Sequence, residues 1–124
     1  MSLRVLAQGP ETEKHPIEIQ FEECMGGSTQ EMVECAYAEH DAWDKEMNKY
    51  YDLLKGVLSA NEFKRLKAAQ KKWLEYRDEE KKFYGKMYSD KEGTMWRVVS
   101  ASRYKDIAKK RALELIEYYE MYNY

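Results

Sequence analysis

The stretch VLSANEFKRLKAAQKKWLEYRD, residues 57–78, decides the fold. Val57 and Leu58 close one helical run, and Ser59-Ala60-Asn61-Glu62 opens the next with no spacer between them. Ser59 and Glu62 have the spacing of a capping box, in which a hydroxyl and a carboxylate satisfy each other's backbone N–H groups. From there Leu66, Ala69, Trp73, Tyr76, Phe83 and Met87 recur at the steps of one helix face, and Glu80 breaks that stripe. A joint this tight makes the two helices antiparallel neighbours.

Upstream, Ser28-Thr29-Gln30-Glu31 repeats the capping box, and the helix it opens meets no proline before Leu58. Its apolar positions are Met32, Cys35 or Ala36, Trp43, Met47, Tyr50, Leu54 and Val57, with Glu39 and His40 interrupting. Downstream, a third helix begins between Ser89 and Thr94. Val98, Ala101, Ala108, Ala112, Leu115 and Tyr119 share one of its faces, and the alanines let a neighbouring backbone approach closely. Helices over about 28–58, 60–87 and 92–121 would each be roughly 40–45 Å long. The expectation is an all-α, elongated antiparallel three-helix bundle.

Gly26-Gly27 is the sharpest break in the chain. Before it, residues 1–23 read as an irregular N-terminal arm, with Gly9-Pro10 as a turn and Pro16 as a helix breaker. Ile17, Ile19 and Phe21 alternate with polar residues, which suits a short extended piece packed on the bundle. Residues 24–124 then form a single helical domain. Val5-Leu6-Ala7 reads as the remnant of a cleavage site, in which case the chain is the mature form of an exported protein.

At 124 residues there is room for one core. Hydrophobic residues make up 44% and charged residues 35%, so each helix buries one face and shows water another. The balance of 21 basic and 23 acidic residues gives no electrostatic footprint for nucleic acid. Lys71-Lys72, Lys81-Lys82 and Lys109-Lys110 are interleaved with acids, the pattern of solvated helix faces. No run is apolar enough over its length to be a transmembrane segment.

Cys24 and Cys35 are the only cysteines. A disulfide between them would pin the arm to the first helix, and closing such a loop is worth roughly 3 kcal/mol. Two unlinked thiols in a reducing compartment are the other reading. A metal site would need further ligands, and a redox motif would need Cys-x-x-Cys.

Asp44, Asn48, Gln70, Arg77, Asp78 and Arg111 lie at or beside the apolar seams. They read as a structural network in which Arg77 forks to a carboxylate such as Asp44, fixing helix register; a binding site is the competing reading. His15 and His40 lack the nearby partners of a metal site or a catalytic triad, so neither metal, cofactor nor enzymatic activity is expected. The end of the chain, with Tyr118, Tyr119, Tyr122 and Tyr124, holds more tyrosine than closing a bundle requires.

With these features in place, the sequence resembles the LprI-like family, small exported bacterial proteins named for a lysozyme inhibitor. The resemblance runs from about Cys24 to Glu120. It rests on the Cys24 and Cys35 spacing, on Trp43-Asp44, Met47-Asn48 and Tyr50 or Tyr51, and on Ala69-Gln70, Trp73 and Tyr76-Arg77-Asp78. Gly93-Thr94 and Arg111-Ala112 with Glu114-Leu115 complete it. Many family members carry a second cysteine pair where this chain has Lys81 and Arg103, so here the second and third helices should hold together by packing alone.

The resemblance implies a periplasmic or secreted protein whose partner is a lysozyme or another envelope protein, inhibiting by occlusion of the substrate cleft. The Gly26-Gly27 turn, the Tyr88–Gly93 turn and the tyrosine-rich end are the candidate contacts. A structural or assembly module of the bacterial envelope is the alternative, and metal or enzyme chemistry around His40 the third reading.

Overall fold

The computed structural model describes residues 13–122, and the regular elements among them are all helical. Helix α1 spans Pro16–Phe21, a 3-10 turn Cys24–Gly26, α2 Thr29–Val57, α3 Ala60–Ser89 and α4 Met95–Met121. The Val5–Ala7 cleavage reading, the Gly9-Pro10 turn and Tyr124 lie outside the described residues.

Both capping boxes form. Ser28 Oγ accepts from the Glu31 N–H at 3.1 Å while the Glu31 carboxylate takes the Ser28 N–H at 2.8 Å. Ser59 and Glu62 repeat this geometry at 3.1 and 2.8 Å. The backbone N–H of Ser28 holds the Glu31 carboxyl below its ordinary value, and that of Ser59 does the same for Glu62. Leu58 and Ser59 alone separate α2 from α3.

The three long helices run up, down and up. Tyr51 meets Phe63 at 5.2 Å, so α3 returns along α2. Tyr104 stacks on His40 at 4.1 Å and Tyr119 meets Tyr50 edge-on at 5.6 Å, so α4 runs parallel to α2. The closest backbone approach is between α2 and α4, whereas α3 stands off from both. Side-chain size explains this. Ala36, Ala101, Ala108 and Ala112 are buried in the α2–α4 seam, where a methyl group keeps the backbones close. The inward positions of α3 carry Leu66, Gln70, Trp73, Arg77 and Tyr84, which hold its backbone outward.

The expected face of α4 is the buried one: Val98, Ala101, Ala108, Ala112 and Leu115 are enclosed and Tyr119 is half-buried. In α2, Glu39 and His40 are buried within the stripe rather than interrupting it, while Val57 is exposed. The stripe expected of α3 needs correction. Gln70 and Tyr84 are its buried residues. Ala69, Tyr76, Phe83 and Met87 face solvent.

The arm also differs from expectation over residues 16–21, which form a helix rather than an extended piece. Pro16 occupies the first helical position, where its missing N–H costs nothing. His15 Nδ1 accepts from the Ile17 N–H at 3.0 Å, and the Glu18 carboxylate accepts from the His15 N–H at 2.9 Å. The described residues therefore hold four helices, three long and one short. Because Nδ1 is an acceptor, the proton sits on Nε2, which donates to Glu46 at 3.1 Å.

Helix α1 lies over the α2–α4 seam. Ile17 joins Trp43, Met47, Leu54, Ala108, Ala112 and Leu115 in the core, and the His15 ring lies 4.7 Å from the Trp43 indole. Lys109 reaches Glu18 at 2.8 Å. Burial pushes the Glu18 carboxyl up, but the Lys109 and His15 hydrogen bonds and the neighbouring positive charge outweigh it and hold the group below its ordinary value. A lowered carboxyl stabilises the fold fully above the ordinary glutamate range, and that stability is lost as pH falls through the lowered native value. Glu18→Gln should cost roughly 1 kcal/mol at neutral pH. The difference from wild type in urea midpoint should close at acid pH, and a difference that persists there would mean the pair does not anchor α1.

Candidate functional site

One end of the bundle gathers the two glycine turns. Cys24 and Cys35 form a disulfide with a Cα–Cα distance of 5.8 Å, which ties the 3-10 turn to α2. Gly27 follows, where a side chain would run into the Glu31 carboxylate that caps α2. The C-terminus of α3 and the start of α4 lie at the same end. Between them Gly93 takes a φ of +101°, which reverses the chain and suits glycine alone among the common residues.

Side chains join the two turns. Arg97 Nη2 donates to Gln30 Oε1 at 2.9 Å, linking the first turn of α4 to that of α2. Tyr88 stacks on Trp96 with ring centroids 5.5 Å apart, and Lys91 lies 5.1 Å from the Trp96 centroid. Together they border a cleft of about 470 Å³ lined by Tyr37, Tyr88, Lys91, Trp96, Arg97 and Ser100 among others. Helix α4 starts at Thr94 with no side-chain cap and no acid in its first turn, unlike the three helices before it. The lining cations are Lys91 and Arg97, so the surface is arranged to meet negative charge.

The opposite end carries the tyrosines. Tyr119 packs against Tyr50, while Tyr118 and Tyr122 are exposed. The Tyr122 hydroxyl donates to Glu62 at 2.9 Å, and that bond raises the phenol's pKa. Part of this cluster therefore closes the bundle and part remains on the surface.

Residues 23–115 match the family described as lysozyme inhibitor LprI. The chain belongs to the LprI family. No curated protein matches it. Among solved structures it is similar to an uncharacterized protein from Burkholderia thailandensis, with a TM-score of 0.83 and 23% identity over 90% of this chain. At that identity the likeness concerns fold alone, and this chain covers 57% of the Burkholderia chain.

The residues that carry the resemblance fall into four places. Trp43 is in the core, and its Nε1 donates to buried Glu39 at 2.9 Å. Gln70 and Arg111 meet in the seam, Arg111 Nε donating to Gln70 Oε1 at 2.9 Å. Arg111 also reaches Glu114 at 3.1 Å, and Gln70 Nε2 points at the Met47 sulfur at 3.4 Å. Arg77 does not reach Asp44. Its Nε and Nη2 donate to adjacent Asp78 at 3.0 and 2.9 Å, and its guanidinium lies 5.7 Å from the Trp73 ring. Trp73 and Asp44 are half-buried, whereas Asn48 and Tyr76 are exposed. Gly93 and Thr94 form the turn of the cleft.

At Lys81 and Arg103, where packing alone was expected to hold α3 to α4, further contacts form. Lys81 sits 4.3 Å from the Tyr104 ring centroid. Arg103 lies 3.7 Å from Glu80 and 6.0 Å from the Tyr84 ring centroid. Burial, with the nearby Tyr37 and Tyr104 hydroxyls, pushes the Tyr84 phenol up to about 12.

His40 is buried, with Nδ1 3.0 Å from Asp41. Among the described residues no group of three histidine, cysteine or carboxylate side chains could hold a metal, and no helix there is long and apolar enough to cross a membrane. Sequence reasoning missed His15, Glu18 and Lys109 as the anchors of α1. The signal was present: His15-Pro16 followed by Glu18 has the order of cap, first-turn proline and box carboxylate.

Proposed function

We propose that this chain is an exported cell-envelope binding protein that inhibits a lysozyme by occluding its substrate cleft, with the disulfide end as the inserting surface. Membership of the LprI family carries the reading. The geometry supports the choice of end. Two turns distant in sequence project together, braced by the disulfide and the Arg97–Gln30 bond. Lys91, Arg97 and the uncapped start of α4 offer donors to the catalytic carboxylates of a glycosidase. Such an inhibitor works by complementarity and does no chemistry. A disulfide suits the periplasm or cell surface, where thiols oxidise.

The test is lysis of a peptidoglycan suspension by chicken-type, goose-type and invertebrate-type lysozymes, with and without stoichiometric protein. Dose-dependent inhibition of one type is expected, and the variant K91E/R97E should weaken it about a hundredfold. Undiminished inhibition by that variant would move the contact to the tyrosine-rich end. No inhibition of any type would leave the second reading, an envelope assembly module, which the exposed flank of α3 favours.

A further inference from the structure

Because α3 stands off from α4, the groove between them is not filled along its whole length. Trp73 and Tyr76 of α3, with Ile107, Lys110, Arg111 and Glu114 of α4, line a pocket there of about 260 Å³. The four α4 residues recur at the steps of one helix face. The volume is just under the roughly 300–1,000 Å³ of sites for drug-sized ligands, which suits a single small ring.

Three kinds of group line this pocket. Trp73 rests on the core and Tyr76 is 54% exposed, so both offer ring surface. Arg111 is only 8% exposed. Its Nε donates to Gln70 and its Nη1 to Glu114, and Nη2 bonds to no described residue. Lys110 pairs with no described residue either. Glu114 answers one of these two charges, so one positive charge is left over. The second oxygen of Glu114, Oε2, is still open to a donor, since Arg111 takes Oε1.

We propose that this pocket binds one sugar ring that carries a carboxylate. Arg111 Nη2 and Lys110 Nζ donate to the carboxylate. The C–H face of the ring lies on Trp73 and Tyr76, and a hydroxyl or amide N–H of the ring donates to Glu114 Oε2. Inorganic phosphate would satisfy the cations alone, and benzoate the cations and the aromatic rings. A sugar acid satisfies all three kinds of group. None of these residues belongs to the disulfide end, so the site does not depend on what that end binds.

Titration of the full chain with N-acetylmuramic acid, followed through its amide and indole N–H signals by NMR, tests this. Saturable millimolar binding is expected, with the Trp73 indole signal moving and that of Trp96 still. N-acetylglucosamine, the same ring without the lactyl carboxylate, should bind about tenfold more weakly. Benzoate and phosphate, which leave Glu114 without a ring donor, should also bind more weakly. Lys110→Glu and Tyr76→Ala alter exposed side chains, and each should weaken binding of the sugar acid about tenfold with an unchanged circular dichroism spectrum and melt. No saturable binding, shifts confined to Trp96, equal affinity for the sugar without the acid or for benzoate, or binding that survives Lys110→Glu would each overturn the proposal.

Discussion

Trp43→Ala is expected to destabilise the protein by about 4 kcal/mol, close to the upper range for a single core truncation. Trp43 is 0% exposed and is the largest fully buried side chain. Two features keep the cavity from collapsing. The seam opposite is made of Ala108 and Ala112, which have no side chain to swing into the space, and α1 roofs the indole through His15 and Ile17. The substitution also removes the donor at 2.9 Å from Glu39, leaving that buried carboxylate with Lys105 at 4.0 Å. Trp43→Phe keeps most of the ring while losing the N–H, and should cost about 2 kcal/mol. Urea denaturation measures both. A cost for the alanine variant under about 1 kcal/mol would show that α1 is not sealed on the core.

How much could be read from the residues varies by helix, for a physical reason. On α4 the buried apolar positions, Val98, Ala101, Ala108, Ala112 and Leu115, are small or aliphatic, and the periodic face is the buried face. On α3 the inward face is chosen by partners. Gln70 is buried because Arg111 and Met47 meet its amide, and those residues lie on other helices. An apolar count therefore rotates α3 away from its true orientation and places Tyr76 and Phe83 inside. In the arm, Ile17, Ile19 and Phe21 suit a strand by alternation, yet Ile17 and Phe21 are also one helical turn apart. The cap made by His15 and Glu18 selects the helix. At the candidate site, Gly26-Gly27 and Gly93 are legible as turns. Their convergence is not, because it depends on α2 and α4 running parallel in a register held by pairs such as His40 with Tyr104 and Gln30 with Arg97.

Loss of the Cys24–Cys35 bridge should cost about 3 kcal/mol, chiefly by releasing entropy in the unfolded chain. The bridge spans a sequence separation of 11, and its two halves are unequal in setting. Cys35 is buried in α2, while Cys24 sits exposed in the 3-10 turn. Cutting it therefore leaves the α2–α4 seam packed and frees the segment before Ser28. Helix α1 keeps its own attachments through Ile17, His15 with Glu46, and Glu18 with Lys109. These lie on α2 and α4 beyond Cys35, so the connection from Glu22 to Gly27 should loosen first. The variant C24A/C35A should keep its helical circular dichroism and show a lower urea midpoint. Hydrogen exchange should quicken from Glu22 to Gly27 more than within α1. If the disulfide end is the inhibitory surface, lysozyme inhibition should fall in the same variant even at temperatures where it stays folded. A variant with unchanged midpoint and exchange would mean that the turn is held by its own contacts, and the brace would then be the Arg97–Gln30 bond.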